Sequence, residues 1–265
     1  LSYGGVTVSG IGNILNSVGK ACGEAGHETE CKKVSKGKTY YGKGNTNQGI
    51  LQLLAENNIP LVIRMVGAVS ESGLYKTGTW AAANAGLIDG LTDYDSNDYG
   101  GSVGDNGHMA RMKSAKDVTI EGVGTDAAMD GWGIHFMSET STTAAGLGKS
   151  FEVRNLTFMN QPEDAIGMEG VQDGSVITAP VERCWIHNNE FYSPSITGPA
   201  ESDKAEGDGS CDFKRGEYLT VSYNYFEGCH KTNLVGSSDT SLQYNLTYHH
   251  NIWKGCPARQ PLGRQ

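Results

Sequence analysis

The last quarter of the chain carries three groups in order: Asp208-Gly-Ser-Cys-Asp212, then Lys231 inside CHKTNLVGSSD, then Arg259-Gln-Pro261-Leu-Gly-Arg264. A guanidinium forks onto a carboxylate through two hydrogen bonds, and a proline between two arginines removes a backbone donor and stiffens the segment that carries both. Two carboxylates four apart, a lone lysine and a paired-arginine segment together suit the handling of an acidic sugar polymer.

Charge narrows the choice. Against 21 basic side chains stand 30 acidic ones, a net −9. No global positive field is available to gather nucleic acid or any other polyanion, so an anionic substrate must be held by a local cluster or a metal. No run approaches the roughly 18 apolar residues of a membrane span. The chain opens at Leu1 without an apolar signal core and reads as a processed or excerpted chain. Six cysteines form an even set. Cys22 and Cys31 bracket a short polar loop typical of a local disulfide, no CxxC occurs, and an oxidised, exported, secreted protein is the expectation.

The elements that must position these groups show themselves as a repeat. FEVRNLTFMN (151–160), CWIHNNEFYS (184–193), LTVSYNYFEG (219–228) and LTYHHNIWKG (246–255) align on the aromatics Phe158, Phe191, Phe226 and Trp253. Asn189, Asn224 and Asn251 recur two positions earlier, and the aromatics are separated by 33, 35 and 27 residues. Alternating Val, Tyr, Thr and Phe exclude helical pairs, and a propeller blade would need about 40 to 45 residues. Three short strands per coil of a right-handed parallel β-helix fit, with equivalent residues stacked about 4.8 Å apart. Glycine at 37 of 265 residues agrees with a turn-dense all-β chain. No linker divides it, so residues 1–265 are expected to form one domain. IPLVIRMVGAV (59–69) and AKDVTIEGVG (115–124) are candidate earlier coils. Thr46-Asn47 followed by GILQLLAEN reads as a capped amphipathic helix covering the N-terminal end of the solenoid. Cys229 and Cys256, each five residues after a ladder asparagine, are expected as neighbours that stack as thiols or pair.

The segments DGSCDFKRGEYLTVSYNYFEGCHKTNLVG and HHNIWKGCPARQPLGR resemble polysaccharide lyase family 1, the pectate lyases. The likeness is weak before about residue 115 and strong from 150 onward. It implies a parallel β-helix, the pectin-lyase-like solenoid. It further implies calcium bound by Asp164, Asp208 and Asp212, a substrate-binding Lys231, Arg259 as the base that removes a proton, and Arg264 as a second substrate contact. The implied reaction is calcium-dependent β-elimination on α-1,4-linked polygalacturonate, giving 4,5-unsaturated oligogalacturonates. The cation neutralises the substrate carboxylate so that the neighbouring proton becomes acidic enough to remove. Pro162 stands where some members carry a further acidic residue, which leaves three carboxylate ligands. Arginine as a base is chemically awkward, because its pKa lies above about 12.

Four other readings compete. A pectin lyase for methylated chains would lack the aspartate set, and a β-helix hydrolase would need GHG and RIK segments that are absent. A non-catalytic, calcium-dependent acidic-glycan-binding β-helix would have no evident need for Arg259. A structural β-helix would show an ordinary surface instead of a site. Asp93-Tyr-Asp95-Ser-Asn97-Asp98 lacks the sixth-position glycine and twelfth-position glutamate of a calcium loop and reads as solvated. His249 and His250 are expected to face opposite ways on a strand. Lys214 and Arg215 read as positive potential near Asp212 or as a solvated coil edge. The chain stops one residue after Arg264, and a downstream piece of the same polypeptide is expected to complete the solenoid.

Overall fold

In the computed structural model, the described residues are 109–131, 133–138, 148–161, 164–192 and 208–264, with strand Leu61–Ser70 and short strands between residues 2 and 40. Successive coils each contribute three strands. Lys149–Arg154, Thr157–Met159 and Ile166–Glu169 form one coil, and Val181–His187, Glu190–Tyr192 and Cys211–Lys214 form the next. Gly216–Ser222, Tyr225–Glu227 and Leu234–Val235 follow, then Gln243–His249, Ile252–Lys254 and Leu262–Gly263. Every pairing between these coils is parallel. In the preceding coil Lys116–Asp130 runs unbroken and pairs with both Lys149–Arg154 and Thr157–Met159, fusing two faces into one long sheet. The remaining face is a separate parallel sheet of six strands, Met109–Lys113 through Leu262–Gly263.

The repeat seen in the sequence is the register of the structure. Phe158, Phe191, Phe226 and Trp253 are mutual partners, with ring centroids 4.9, 4.7 and 5.7 Å apart and planes within 10°. Offset stacking at such distances is favourable beyond the burial of area. Phe136, Phe151 and Phe213 complete the large buried side chains of the core. The asparagines form the expected ladder: Asn189 donates to Asn224 Oδ1 at 3.1 Å, and Asn224 to Asn251 Oδ1 at 3.1 Å. Each side chain also caps a backbone carbonyl of its neighbouring coil, at Val153, Ile186 and Val221. Leu156, at the equivalent position one coil earlier, ends the ladder by donating only its backbone N–H to Asn189 Oδ1. The residue before each rung, Asn155, Asn188, Tyr223 or His250, is left-handed with φ of 54–56° and turns the chain out of one strand into the next.

Both candidate early coils are strands, Leu61–Ser70 and Lys116–Asp130. The capping-helix segment, the Asp93–Asp98 loop, Cys22, Cys31, Pro162 and Glu163 lie outside the described residues. The other four cysteines, Cys184, Cys211, Cys229 and Cys256, are buried free thiols, which decides between the two alternatives for Cys229 and Cys256. Cys229 and Cys256 do stack on successive coils, each donating to the carbonyl of a core aromatic, Phe191 or Phe226. Small apolar residues are what this interior needs there, and a thiol fills such a position well.

A candidate active site on the six-stranded sheet

Along Ile166–Glu169 and Cys211–Lys214 the inward side chains are Ile166, Met168, Cys211 and Phe213, all buried. Strand alternation therefore sends Asp212 and Lys214 outward on one face. Ile166 pairs with Cys211, and the hydrogen bond from Ala165 N to Gly209 O extends that register backward, so Asp164 stands opposite Gly209. Gly209 in turn bridges Lys231, which bridges Ala258. Register alone thus brings together residues up to 95 apart in sequence, Asp164 and Arg259. Asp208 and Asp212 share one coil and Asp164 lies on the coil before it.

Asp164 and Asp212 are the pair brought into closest relation, 6% and 2% exposed. Gly209 donates to Asp164 Oδ1 at 3.0 Å, and Leu234 N donates to Asp212 Oδ1 at 2.9 Å. Burial pushes both carboxyl groups up. Lys214 pulls Asp164 back down and Asp208 raises it further; for Asp212 the charge of Asp164 adds to burial, against Lys214, Leu234 N–H and Arg259. The cations stand off: Lys214 Nζ is 3.9 Å from Asp164 Oδ2, and Arg259 Nη1 is 3.9 Å from Asp212 Oδ2. Asp208 instead accepts a hydrogen bond from Lys231 Nζ at 3.1 Å. Among the described residues no three His, Cys, Asp or Glu side chains converge as a closed metal cage. The three aspartates are therefore a facing pair plus a third that is ion-paired.

Arg259 adopts φ 60°, and its carbonyl accepts from Asn233 N at 2.7 Å, which fixes the residue against the preceding coil. Arg264 is hydrogen-bonded at both ends: its N–H reaches Val235 O at 2.8 Å and its guanidinium reaches Ser237 O at 3.3 Å. It lies on the same sheet as Lys214, two coils further along by register.

Two contributors, His135 and Glu169, went unassigned in the sequence, and for a third, Lys214, the structure decides for positive potential near Asp212. Lys214 faces the aspartate pair and is not a solvated coil edge; burial opposes its charge, yet Asp164, Asp212 and Glu169 hold it protonated. Glu169 and His135 flank it, with His135 Nε2 3.4 Å from Glu169 Oε2 and the imidazole ring packed over Gly167, which separates it in register from Asp212. Burial disfavours the Glu169 carboxylate, but His135, Lys214 and Arg215 outweigh it and bring its pKa down to about 2. Only the i, i+2 spacing of Asp212 and Lys214 could have signalled this in the sequence. His249 and His250 also depart from expectation. Their Nδ1 atoms are 2.8 Å apart, because the left-handed His250 breaks strand alternation and returns its ring to the same side.

Stacked parallel coils with a buried carboxylate pair ringed by Lys214, Lys231 and Arg259 define a parallel β-helix protein with a charged site on one sheet. The family model described as pectate lyase matches residues 76–265, and the chain belongs to that family. It is 32% identical to pectate lyase 2 of Pectobacterium carotovorum over 153 residues, covering 56% of this chain and 36% of that protein. It is 33% identical to a pectate trisaccharide-lyase of Bacillus licheniformis over 156 residues, 58% of this chain and 40% of the relative. The chain thus spans under half the length of these curated relatives. Among solved structures, a pectate lyase of Bacillus sp. N165 in complex with trigalacturonate aligns with TM-score 0.50 and 24% identity over 84% of this chain and 54% of that one. A pectate lyase variant from Xanthomonas campestris aligns with TM-score 0.54 and 21% identity over 91% of this chain and 62% of that one. These structural likenesses establish the β-helix.

Proposed function

We propose that the chain belongs to a calcium-dependent pectate lyase that cleaves polygalacturonate by β-elimination, outside the cell, where so large a polymer is encountered. The observation that carries this reading is the facing of Asp164 and Asp212: two buried carboxylates repel one another, their nearest cations stand 3.9 Å away, and both are pushed toward neutrality. An all-oxygen donor set of that kind fits a hard cation with flexible coordination. Asp164 and Asp212 would hold it, joined by Asp208 when its carboxylate leaves Lys231. Calcium, when bound, supplies positive charge to the carboxylate of the sugar being cleaved and so acidifies the proton on C5.

The remaining work falls to the chain. Lys231 and Arg264 hold carboxylates of the polymer, and Lys214 partly offsets the burial that pushes the two aspartates toward neutrality. Arg259, anchored through its own carbonyl, reaches the reacting sugar and, as a neutral guanidine that has first released its proton to solvent, takes the proton from C5. The electrons of that C–H bond become the C4–C5 double bond, the C4–O bond breaks, and the departing oxygen acquires a proton from solvent. The test is the ultraviolet absorbance of the unsaturated product during incubation with polygalacturonate, with calcium and then with excess chelator. A calcium-dependent rise that vanishes in Arg259→Ala supports the reading. Binding without any rise would leave a non-catalytic acidic-glycan-binding module.

A further inference from the structure

The long sheet, on a different face of the solenoid from the aspartates, carries a groove of about 480 Å³ lined by Asp117, Thr119, Ser150, Glu152, Arg183 and Trp185 among others. Three of its lining residues, Asp117, Ser150 and Arg183, belong to a second set of left-handed residues that continues along the solenoid. Asp117, Ser150, Arg183, Tyr218 and Asn245 occupy the same place on five successive coils with φ of 55–62°, between flanking register pairs. Beside them runs a parallel row, Thr119, Glu152, Trp185, Thr220 and Thr247. Both rows follow the solenoid axis and present a new polar or aromatic side chain at each coil, about every 4.8 Å. That spacing is close to the length of one sugar residue in an extended chain.

Within this groove Trp185 is a fixed platform. Its ring is 46% exposed, yet Nε1 donates to Ser222 Oγ at 3.0 Å and its inner face stacks on His187 with centroids 3.8 Å apart. His187 is itself held, hydrogen-bonded to Glu152 at 3.0 Å and to Asn188 at 2.7 Å. An exposed aromatic pinned from beneath and at its edge loses little freedom when a ligand covers its outer face. Tyr218, 52% exposed, offers a second ring one coil on, beside the position of Arg183.

The charges argue for what lies there. Asp117, Glu152, Glu182 and Glu217 are set against Lys116, Lys149, Arg183 and Arg154; Arg183 already pairs with Glu182 at 3.6 Å and Arg154 with Glu152 at 3.0 Å. An even, internally paired balance of charge offers no net positive field to recruit a polyanion. Carboxylates, hydroxyls and aromatic faces alternating along a line are instead suited to sugar hydroxyls and to the apolar faces of pyranose rings. We propose that this groove binds an uncharged, extended polysaccharide chain lying along the solenoid axis, separately from the acidic polymer handled on the six-stranded sheet.

Affinity electrophoresis of the whole chain in gels containing soluble β-1,4-galactan, xyloglucan or polygalacturonate tests this, with tryptophan fluorescence read during titration of the same polymers. Retardation and a fluorescence change with at least one neutral glycan are expected. Both are lost in Trp185→Ala with at least about a tenfold fall in affinity, and partly retained in Trp185→Phe. Asp212→Asn leaves them unchanged, so failure of the lyase reading would not imitate failure of this one. No retardation by either neutral glycan, retardation indifferent to Trp185→Ala in a variant whose circular dichroism matches the parent, or Trp185-dependent binding to polygalacturonate alone would each overturn the proposal.

Discussion

Asp164 and Asp212 approach each other across Gly209 so closely that a Cβ on that glycine would lie 2.4 Å from Asp164 Oδ1 and 2.6 Å from Asp212 Oδ1. The site is thus a space kept open by the absence of a side chain. Gly209→Ala is expected to spread the pair, lower lyase activity at least about tenfold, and destabilise the protein by roughly 1–3 kcal/mol, as overpacking does. Product formation and urea unfolding check the two effects; an unaltered rate would remove the pair from the chemistry.

Asp212→Asn keeps an acceptor for Leu234 N while removing one of the two facing charges. Loss of activity is expected together with an unchanged or raised thermal midpoint in chelator, since a buried like-charge contact has gone. Calcium should raise the midpoint of the parent and not that of the variant. Equal calcium shifts in both would exclude Asp212 as a ligand.

Glu169 sets an acid limit. Its carboxyl is held down to about 2 in the folded chain, below its ordinary value of 4.5, so the unfolded chain binds the proton more readily. Its contribution, on the order of 3 kcal/mol, is therefore complete above about pH 4.5 and disappears as pH falls toward 2. Glu169→Gln should flatten the stability profile over that interval. The same acid slope in parent and variant would contradict it.

Asn224 is 2% exposed and serves two neighbouring coils at once. Asn224→Ala strands the Asn189 N–H and the Ile186 carbonyl, to which it now bonds at 3.0 and 2.9 Å. A loss of roughly 3 kcal/mol in urea unfolding is expected, because buried polar groups without partners are costly. Asn251→Ala, at a partly exposed rung, should cost less.

The stacking of the coils was legible because identical environments recur: Phe158, Phe191 and Phe226 occupy one place three times, and a repeated place demands a repeated residue. Asp208, Asp212 and Arg259 stood out as candidates through their local spacing, and Lys214 through its place two residues after Asp212. The roles of Glu169, His135 and Gly209 were not, because each depends on which residue of another coil stands beside it, and that register is set by loops of unequal length. His249 and His250 were misjudged for a different reason. Strand alternation holds only while φ stays negative, and a left-handed histidine reverses it. The cysteines were read as an even set suited to pairing, whereas four of them are interior filling.

The asparagine ladder has a consequence for how such a chain can change length. Asn189 and Asn224 each accept from the coil before and donate to the rung after, and the rungs are separated by 35 and 27 residues according to the loops between them. A loop can lengthen or shorten freely without disturbing a rung. An insertion within the strands must supply a whole turn with its own asparagine and aromatic, or every later residue falls out of step. The molecule is in that sense quantised: it can gain or shed complete coils, and a half-coil has no place to stand.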